Sequence, residues 1–129
     1  MQSRWCTLFA AGLLLAGLPS LAADEPIKRI PLEKAEVAGT NLVVILSRTE
    51  IVPNGAVPRH THPGLELTDC LEGEVTLSVE GQADRVIKAG DHFLNPAGVP
   101  HSGKAGPNGA VLISSYVVDK DKPLASPAP

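Results

Sequence analysis

Three histidines and one glutamate have the residue types and spacing that suit metal chemistry. His60 and His62 lie two residues apart, and such side chains point to the same face of an extended strand. Glu66 follows a Pro-Gly turn signal, and His101 comes much later, after a loop with two prolines. Three neutral imidazoles and a carboxylate suit a divalent first-row metal ion and leave coordination positions open for catalysis.

Two simpler interpretations of these residues stay open. A His-x-His pair occurs often by chance, and the flanking Pro58, Pro63 and Gly64 also fit a plain surface loop. A histidine such as His101, taken alone, is more often a hydrogen-bonded structural residue than a ligand. No catalytic residue can be named from the sequence.

The elements that must position these side chains are all predicted to be strands. A β-branched run covers residues 41–52, and residues 74–80 alternate strictly between apolar and polar. Shorter strands are predicted at 65–71, 83–88, 92–95 and 110–118, with a turn at 72–73. No segment predicts a helix, and regularly spaced short strands are typical of an all-β sandwich or small barrel.

The N-terminus resembles an export signal. Residues 1–22 contain Arg4, an apolar run of residues 6–18, and small residues before a cleavage position at Ala23. A retained membrane anchor is the alternative, but the apolar run is short for a bilayer span. We therefore predict a periplasmic or secreted protein with no stable membrane anchor after cleavage. Cys70 is then the single cysteine, so no intramolecular disulfide can form.

Three further regions follow the predicted signal. Residues 23–40 are polar and predict an extended arm with at most one short strand, and residues 41–118 predict one β domain. Residues 119–129 are charged and then rich in Ser, Pro and Ala, which predicts a disordered tail. A net charge of −3 and an aromatic content of 3% argue against a nucleic-acid partner.

Residues 55–105 resemble the two sequence motifs of the cupin superfamily. The first motif is matched, with one residue fewer after its glycine, by Gly55, His60, His62, Glu66 and Gly73. The second motif is matched by Gly90, Pro96, Gly98 and His101. The asparagine that ends the second motif is replaced by Ala105.

This resemblance implies a small antiparallel jelly-roll β-barrel with a metal ion inside. It assigns the metal ligands to His60, His62, Glu66 and His101, and the ion to Fe, Mn, Zn, Ni or Cu without deciding among them. No organic cofactor is predicted. The loss of the asparagine at position 105 leaves the ligands intact and affects only a supporting hydrogen bond.

Three functional hypotheses remain, because one fold of this kind supports many functions. The favoured one is a metal-dependent enzyme that acts on a small organic molecule, with oxygenase-like chemistry ahead of isomerase-like chemistry. The second is a non-catalytic module that binds or senses a small molecule or a metal. The third is a scaffold, in which the N-terminal arm adds a strand to a second copy in a homodimer.

Four other side chains are given plain interpretations. Cys70 is predicted to pack in the interior, and His92 to face solvent. Arg59 is predicted to be a solvated charge at the rim, with orientation of an anionic substrate as the alternative. Tyr116 is predicted to lie in the core or at a dimer contact.

Overall fold

The computed structural model describes residues 25–129, which form antiparallel β-strands and contain no helix. The strands are β1 (Ile27–Glu36), β2 (Leu42–Ile51), β3 (Ala56–Thr61), β4 (Gly64–Val79), β5 (Arg85–Lys88), β6 (His92–Asn95), β7 (His101–Asp119) and β8 (Ser126–Pro127). The all-β prediction is confirmed. Within the described range no helix has the length and apolarity to cross a membrane. The predicted signal peptide at residues 1–22 lies outside these residues.

The longest strand, β7, is the strand around which the sheet is organised. Its second half lies between β2 and β4, in a register that runs from Leu42 opposite Asp119 to Ile51 opposite Ala110. Its first half lies between β3 and β4, with His60 opposite His101. The strand thus extends well before the predicted start at residue 110, and its first residue is a candidate metal ligand.

One continuous strand, β4, replaces the two strands and the turn that were predicted at residues 65–80. The register with β7 shifts between Cys70 and Glu72 and again between Gly73 and Val75, so the strand bends without losing its partner. Gly73 has a positive φ of 70°, and a Cβ there would overlap the carbonyl oxygen of Gly109. The glycine therefore marks a bulge inside a strand.

The first half of β4 reverses the usual pattern, with polar side chains inside and leucines outside. Glu66 and Thr68 are buried, whereas Leu65 and Leu67 are more than 40% exposed. The second half returns to apolar residues inside, where Val75 and Leu77 join the larger of two apolar clusters. The polar section therefore lies between that cluster and the smaller one, which is made of Val43, Tyr116 and Val118 with Ile45 and Leu124.

Both ends of the described chain are more ordered than predicted. Residues 23–40 were expected to hold at most one short strand, but β1 is ten residues long and pairs with β2. Residues 119–129 were predicted to be disordered, yet β8 pairs with β3 and Leu124 packs against the smaller apolar cluster. Composition alone misses this order, because one apolar anchor and an open strand edge are enough to hold a short polar segment.

Candidate metal centre

The strand register brings the four predicted ligands to one cavity. His60 is the penultimate residue of β3 and His62 follows the end of that strand, Glu66 lies near the start of β4, and His101 begins β7. The Nε2 atoms of His60 and His62 are 3.1 Å apart. Glu66 Oε2 lies 3.4 Å from Nε2 of His62 and 3.2 Å from Nε2 of His101. Atoms that share one small metal ion at about 2.0–2.2 Å are separated by distances of this order.

Hydrogen bonds at the far side of each ring set which nitrogen faces the centre. Nδ1 of His60 donates to the Pro58 carbonyl at 2.7 Å, and Nδ1 of His101 donates to the Val99 carbonyl at 2.9 Å. Nδ1 of His62 donates to the carbonyl of Leu124 at 2.6 Å. A carbonyl oxygen only accepts, so each Nδ1 carries a proton, and in the neutral ring Nε2 is then the nitrogen with the lone pair.

The three lone pairs converge, which is the arrangement a cation needs. Nε2 of His101 is buried and has no hydrogen-bond partner among the described residues. Unprotonated nitrogens this close to one another repel unless a positive charge lies between them. Histidine ligands in metal proteins commonly donate their other ring nitrogen to a carbonyl, as all three do in this chain. The donor set therefore fits a divalent ion. Binding of such an ion by these four residues stays a prediction.

Glu66 is a buried carboxylate that the surrounding side chains keep ionised. Asn95 Nδ2 donates to Oε2 at 2.8 Å, and Thr68 donates to Oε1 at 3.2 Å. Burial by itself raises the pKa of Glu66, but the contacts with His101, His62 and Asn95 outweigh it and hold the pKa well below its usual value. The group therefore presents negative charge to the centre at neutral pH.

The histidines respond differently to the same cavity. Burial lowers the pKa of His60 and dominates there. Burial also opposes the charged form of His101, but the Glu66 carboxylate and the Val99 carbonyl outweigh it and raise the pKa of that ring.

Asn95 is a residue of the site that the sequence analysis did not identify. The motif comparison pointed to the lost asparagine at position 105, but Ala105 packs in the larger apolar cluster. Asn95 is 1% exposed and donates directly to the carboxylate of Glu66. The sequence feature that could have identified it is the alternation along β6. Asn95 lies two positions after the buried Phe93 and therefore on the same, inward side of the strand.

Replacing Asn95 with alanine should destabilise the protein by about 1.5–3 kcal/mol, the usual contribution of a hydrogen bond to a charged group. The carboxylate of Glu66 would remain buried without its nearest donor. Urea denaturation of the metal-free protein measures the loss. Asn108→Ala, at an exposed position, is the matched control and should change stability by less than about 0.5 kcal/mol. Equal stability in the two variants would show that Asn95 does not support the carboxylate.

The four side chains face a cavity of about 570 Å³ that is large enough for a small organic molecule. Much of the wall is apolar, with Val57, Leu77 and Phe93 among the lining residues. Arg29 and Tyr116 add polar groups to the lining. Burial and the nearby Glu66 raise the pKa of Tyr116 to about 12, so its hydroxyl keeps its proton at neutral pH.

Three other side chains received a prediction from the sequence, namely Cys70, His92 and Arg59. Cys70 is 1% exposed and its thiol contacts the Glu72 carbonyl, so packing in the interior is the observed role. His92 is exposed, as expected. Arg59 lines the cavity but is already engaged, because its guanidinium bonds to Glu80 and to the Pro129 carbonyl, each at 2.7 Å.

Comparison with known proteins decides the family. The family model described as Cupin domain matches residues 47–116, which is more than half of the chain. The chain belongs to the cupin family. The cupin family and the all-β fold predicted from the resemblance are thereby confirmed.

Relatives of this cupin include named enzymes. Oxalate oxidase 2 of Hordeum vulgare is 34% identical over 103 residues, which cover 73% of this chain and 45% of the relative. The chain thus spans about half the length of the curated relatives it matches first.

Solved structures show the same barrel. The dimethylsulfoniopropionate lyase DddQ from Ruegeria pomeroyi superposes with a TM-score of 0.68 at 20% identity, covering 80% of this chain and 52% of that one. A recombinant oxalate oxidase in complex with glycolate gives a TM-score of 0.63 at 25% identity, covering 92% of this chain and 62% of that one. These likenesses support the cupin architecture.

Proposed function

We propose that this cupin is a metal-dependent enzyme that acts on a small carboxylate-containing molecule. The observation that carries the proposal is the convergence of three imidazole rings and a buried carboxylate at a cavity of about 570 Å³. A bound Fe, Mn, Zn, Ni or Cu ion would act as a Lewis acid or an electron conduit for a substrate held in the cavity. His60, His62, Glu66 and His101 would hold the ion.

A carboxylate substrate is favoured by an arginine on the cavity wall. Arg29 lines the cavity from β1, where it lies opposite the buried Thr49. No carboxylate of the described residues lies within ion-pair distance of Arg29, whereas Arg59 is paired with Glu80. A guanidinium offers a planar fork of donors that matches a carboxylate. Oxalate oxidase 2, one of the relatives, acts on oxalate, which is a carboxylate, and this similarity supports the choice.

Other lining residues would orient the substrate and limit access of water. Tyr116 keeps its proton and can therefore donate a hydrogen bond to a bound oxygen atom. The apolar side chains of the wall exclude water and strengthen the electrostatic contacts inside. We propose an oxidation, in which the small acid gives up electrons and dioxygen accepts them, in keeping with the oxalate oxidase relatives.

The experiment is an oxygen-uptake assay on tag-free protein that has been reconstituted separately with each of the five metals. Oxalate, glycolate and other small carboxylic acids serve as substrates, and matched neutral amides serve as controls. Metal-dependent uptake with an acid and none with its amide is expected. The absence of any metal-dependent reaction in every combination would overturn the proposal.

Replacing Arg29 with glutamine should raise the KM for a carboxylate substrate by about 10- to 100-fold, in line with the 1.5–3 kcal/mol of a charge-assisted hydrogen bond. The kcat should change less, because the metal ligands are untouched. Arg48→Gln is the matched control, since Arg48 pairs with Glu50 and does not line the cavity. An unchanged KM in the Arg29 variant would exclude Arg29 as the anchor for the carboxylate.

A binding or sensing module is the second candidate, favoured by the absence of a free base. Among the described residues that line the cavity, Glu66 is the only carboxylate, and Tyr116 holds its proton. A chain that binds a carboxylate without converting it would show a ligand-dependent rise in melting temperature and no product. That result would select the module over the enzyme.

Two further proposals concern export of the protein and its assembly into a homodimer. Export to the periplasm or outside the cell rests on the sequence of residues 1–22 alone. A homodimer is suggested by β1, which pairs only with β2 among the described strands and leaves its other edge open.

A further inference from the structure

A short segment after β7 crosses to the candidate metal centre. Residues 124–127, called the strap below, contribute to the cavity lining. Leu124 packs against the smaller apolar cluster, and Ser126 lies opposite Thr61 in the pairing of β8 with β3. The amide of Ala128 also donates to the Arg59 carbonyl at 3.2 Å. The strap is thus held by an apolar anchor at its start and by strand pairing at its end.

The strap also supplies the hydrogen bond that orients one predicted ligand. The carbonyl oxygen of Leu124 accepts from Nδ1 of His62 at 2.6 Å. His60 and His101 obtain the equivalent bond from carbonyls only two residues away on their own segments. The partner of His62 is 62 residues distant in sequence. Of the three rings, His62 alone depends on a remote segment for its orientation and tautomer.

We propose that the strap is a positioning segment for the metal centre, acting through the Leu124 carbonyl on His62. The bond to the carbonyl places a proton on Nδ1, so in the neutral ring Nε2 presents its lone pair toward His60 and Glu66. The side chain of Leu124 anchors the strap at the residue whose carbonyl accepts this bond, and no other side chain of the strap belongs to the apolar cluster. The metal part of this inference rests on the proposed function, since it treats His62 as a ligand.

The test loosens the strap while leaving every predicted ligand in place. Leu124→Ala removes much of the apolar anchor, and Leu124→Asp places a charge where the cluster is apolar. The alanine variant keeps the test decisive if the aspartate variant does not fold. Leu94→Ala, at an exposed leucine on β6, is the matched side-chain control. Ile87→Val, in the larger cluster, is the control for a general loss of stability.

The first readout is the affinity and absorption spectrum of bound Co²⁺, which serves as the metal probe. We expect the Leu124 variants to bind Co²⁺ about 10- to 100-fold more weakly, the usual effect of losing a bond that orients a ligand. Their spectrum should also change. Both controls should bind as the unaltered protein does, even where Ile87→Val lowers the melting temperature. A folded Leu124 variant with unchanged affinity and spectrum would overturn the proposal.

The second readout needs no metal and separates this inference from the proposed function. Nitrogen NMR of the metal-free protein reports which ring nitrogen of His62 carries the proton. The Nδ1–H form should dominate in the unaltered protein, and the Leu124 variants should show a mixture of tautomers. If the unaltered protein binds no metal, a tautomer change in the variants still supports the strap, and only the proposed function fails. An identical His62 signal in the unaltered protein and all variants would refute the proposed positioning role of the strap.

Discussion

A His101→Ala variant is expected to lose bound metal almost completely, with an affinity at least about 100-fold below that of the unaltered chain. Loss of a supporting hydrogen bond costs about 10- to 100-fold in metal affinity, and loss of a ligand should cost more. His101 also brings the buried Nε2 that has no other partner. Elemental mass spectrometry of tag-free protein, followed by competition with a chelator, measures the effect.

A histidine outside the cavity makes this result interpretable. His92 is exposed on β6 and does not line the cavity, so His92→Ala should retain metal in full. Stability should be compared as well, because removing the ring from a buried site leaves a void. Equal metal content in the two alanine variants would mean that the histidine cluster is not the metal site, and the proposed function would lose its basis.

A Gly73→Ala variant is expected to destabilise the protein by about 2–5 kcal/mol. The backbone there is left-handed, which costs a residue with a side chain roughly 1–2 kcal/mol. The added methyl would also overlap the Gly109 carbonyl, and such overpacking costs about 1–3 kcal/mol more. Against a total stability of about 5–15 kcal/mol, this loss would be easily seen in urea denaturation.

Gly81 provides the control for this prediction. It has a similar positive φ of 77°, but a Cβ there would meet nothing within 4 Å. Gly81→Ala should therefore show the backbone cost alone. If both variants lose the same stability, the close approach of β4 to β7 at Gly73 is not a constraint on the fold.

The spacing of His60 and His62 made part of the site predictable from the sequence. Residues two positions apart in a strand lie on the same face, so this spacing alone predicts that the two rings are close. His60 and His62 were expected on one face, and their rings meet with centroids 4.8 Å apart. The place of His101 beside them followed only from the cupin resemblance. No local rule joins residues so distant in sequence, and the register of β3 with β7 is what brings His60 opposite His101.

The parts that were missed depend on contacts that a sequence pattern does not contain. The strand at residues 65–71 was predicted, but its leucines are outside and its polar residues inside, where Thr68 and Ser114 bond to each other at 2.7 Å. Such a reversal of the usual pattern is expected where a polar site is built into a core. The order of residues 119–129 was missed because it depends on Leu124 and on the open edge of β3.

The central place of β7 also has a consequence for how the chain reaches its native state. The pairs β1–β2, β4–β5 and β4–β6 are close in sequence and can form early, whereas the second edge of β2, the strand β3 and much of β4 must wait for residues 101–119. A chain made from its N-terminus exposes β2 and β4 at the ribosome before their shared partner exists. Since β7 begins at His101, the last candidate ligand is delivered by the same strand whose arrival closes the barrel.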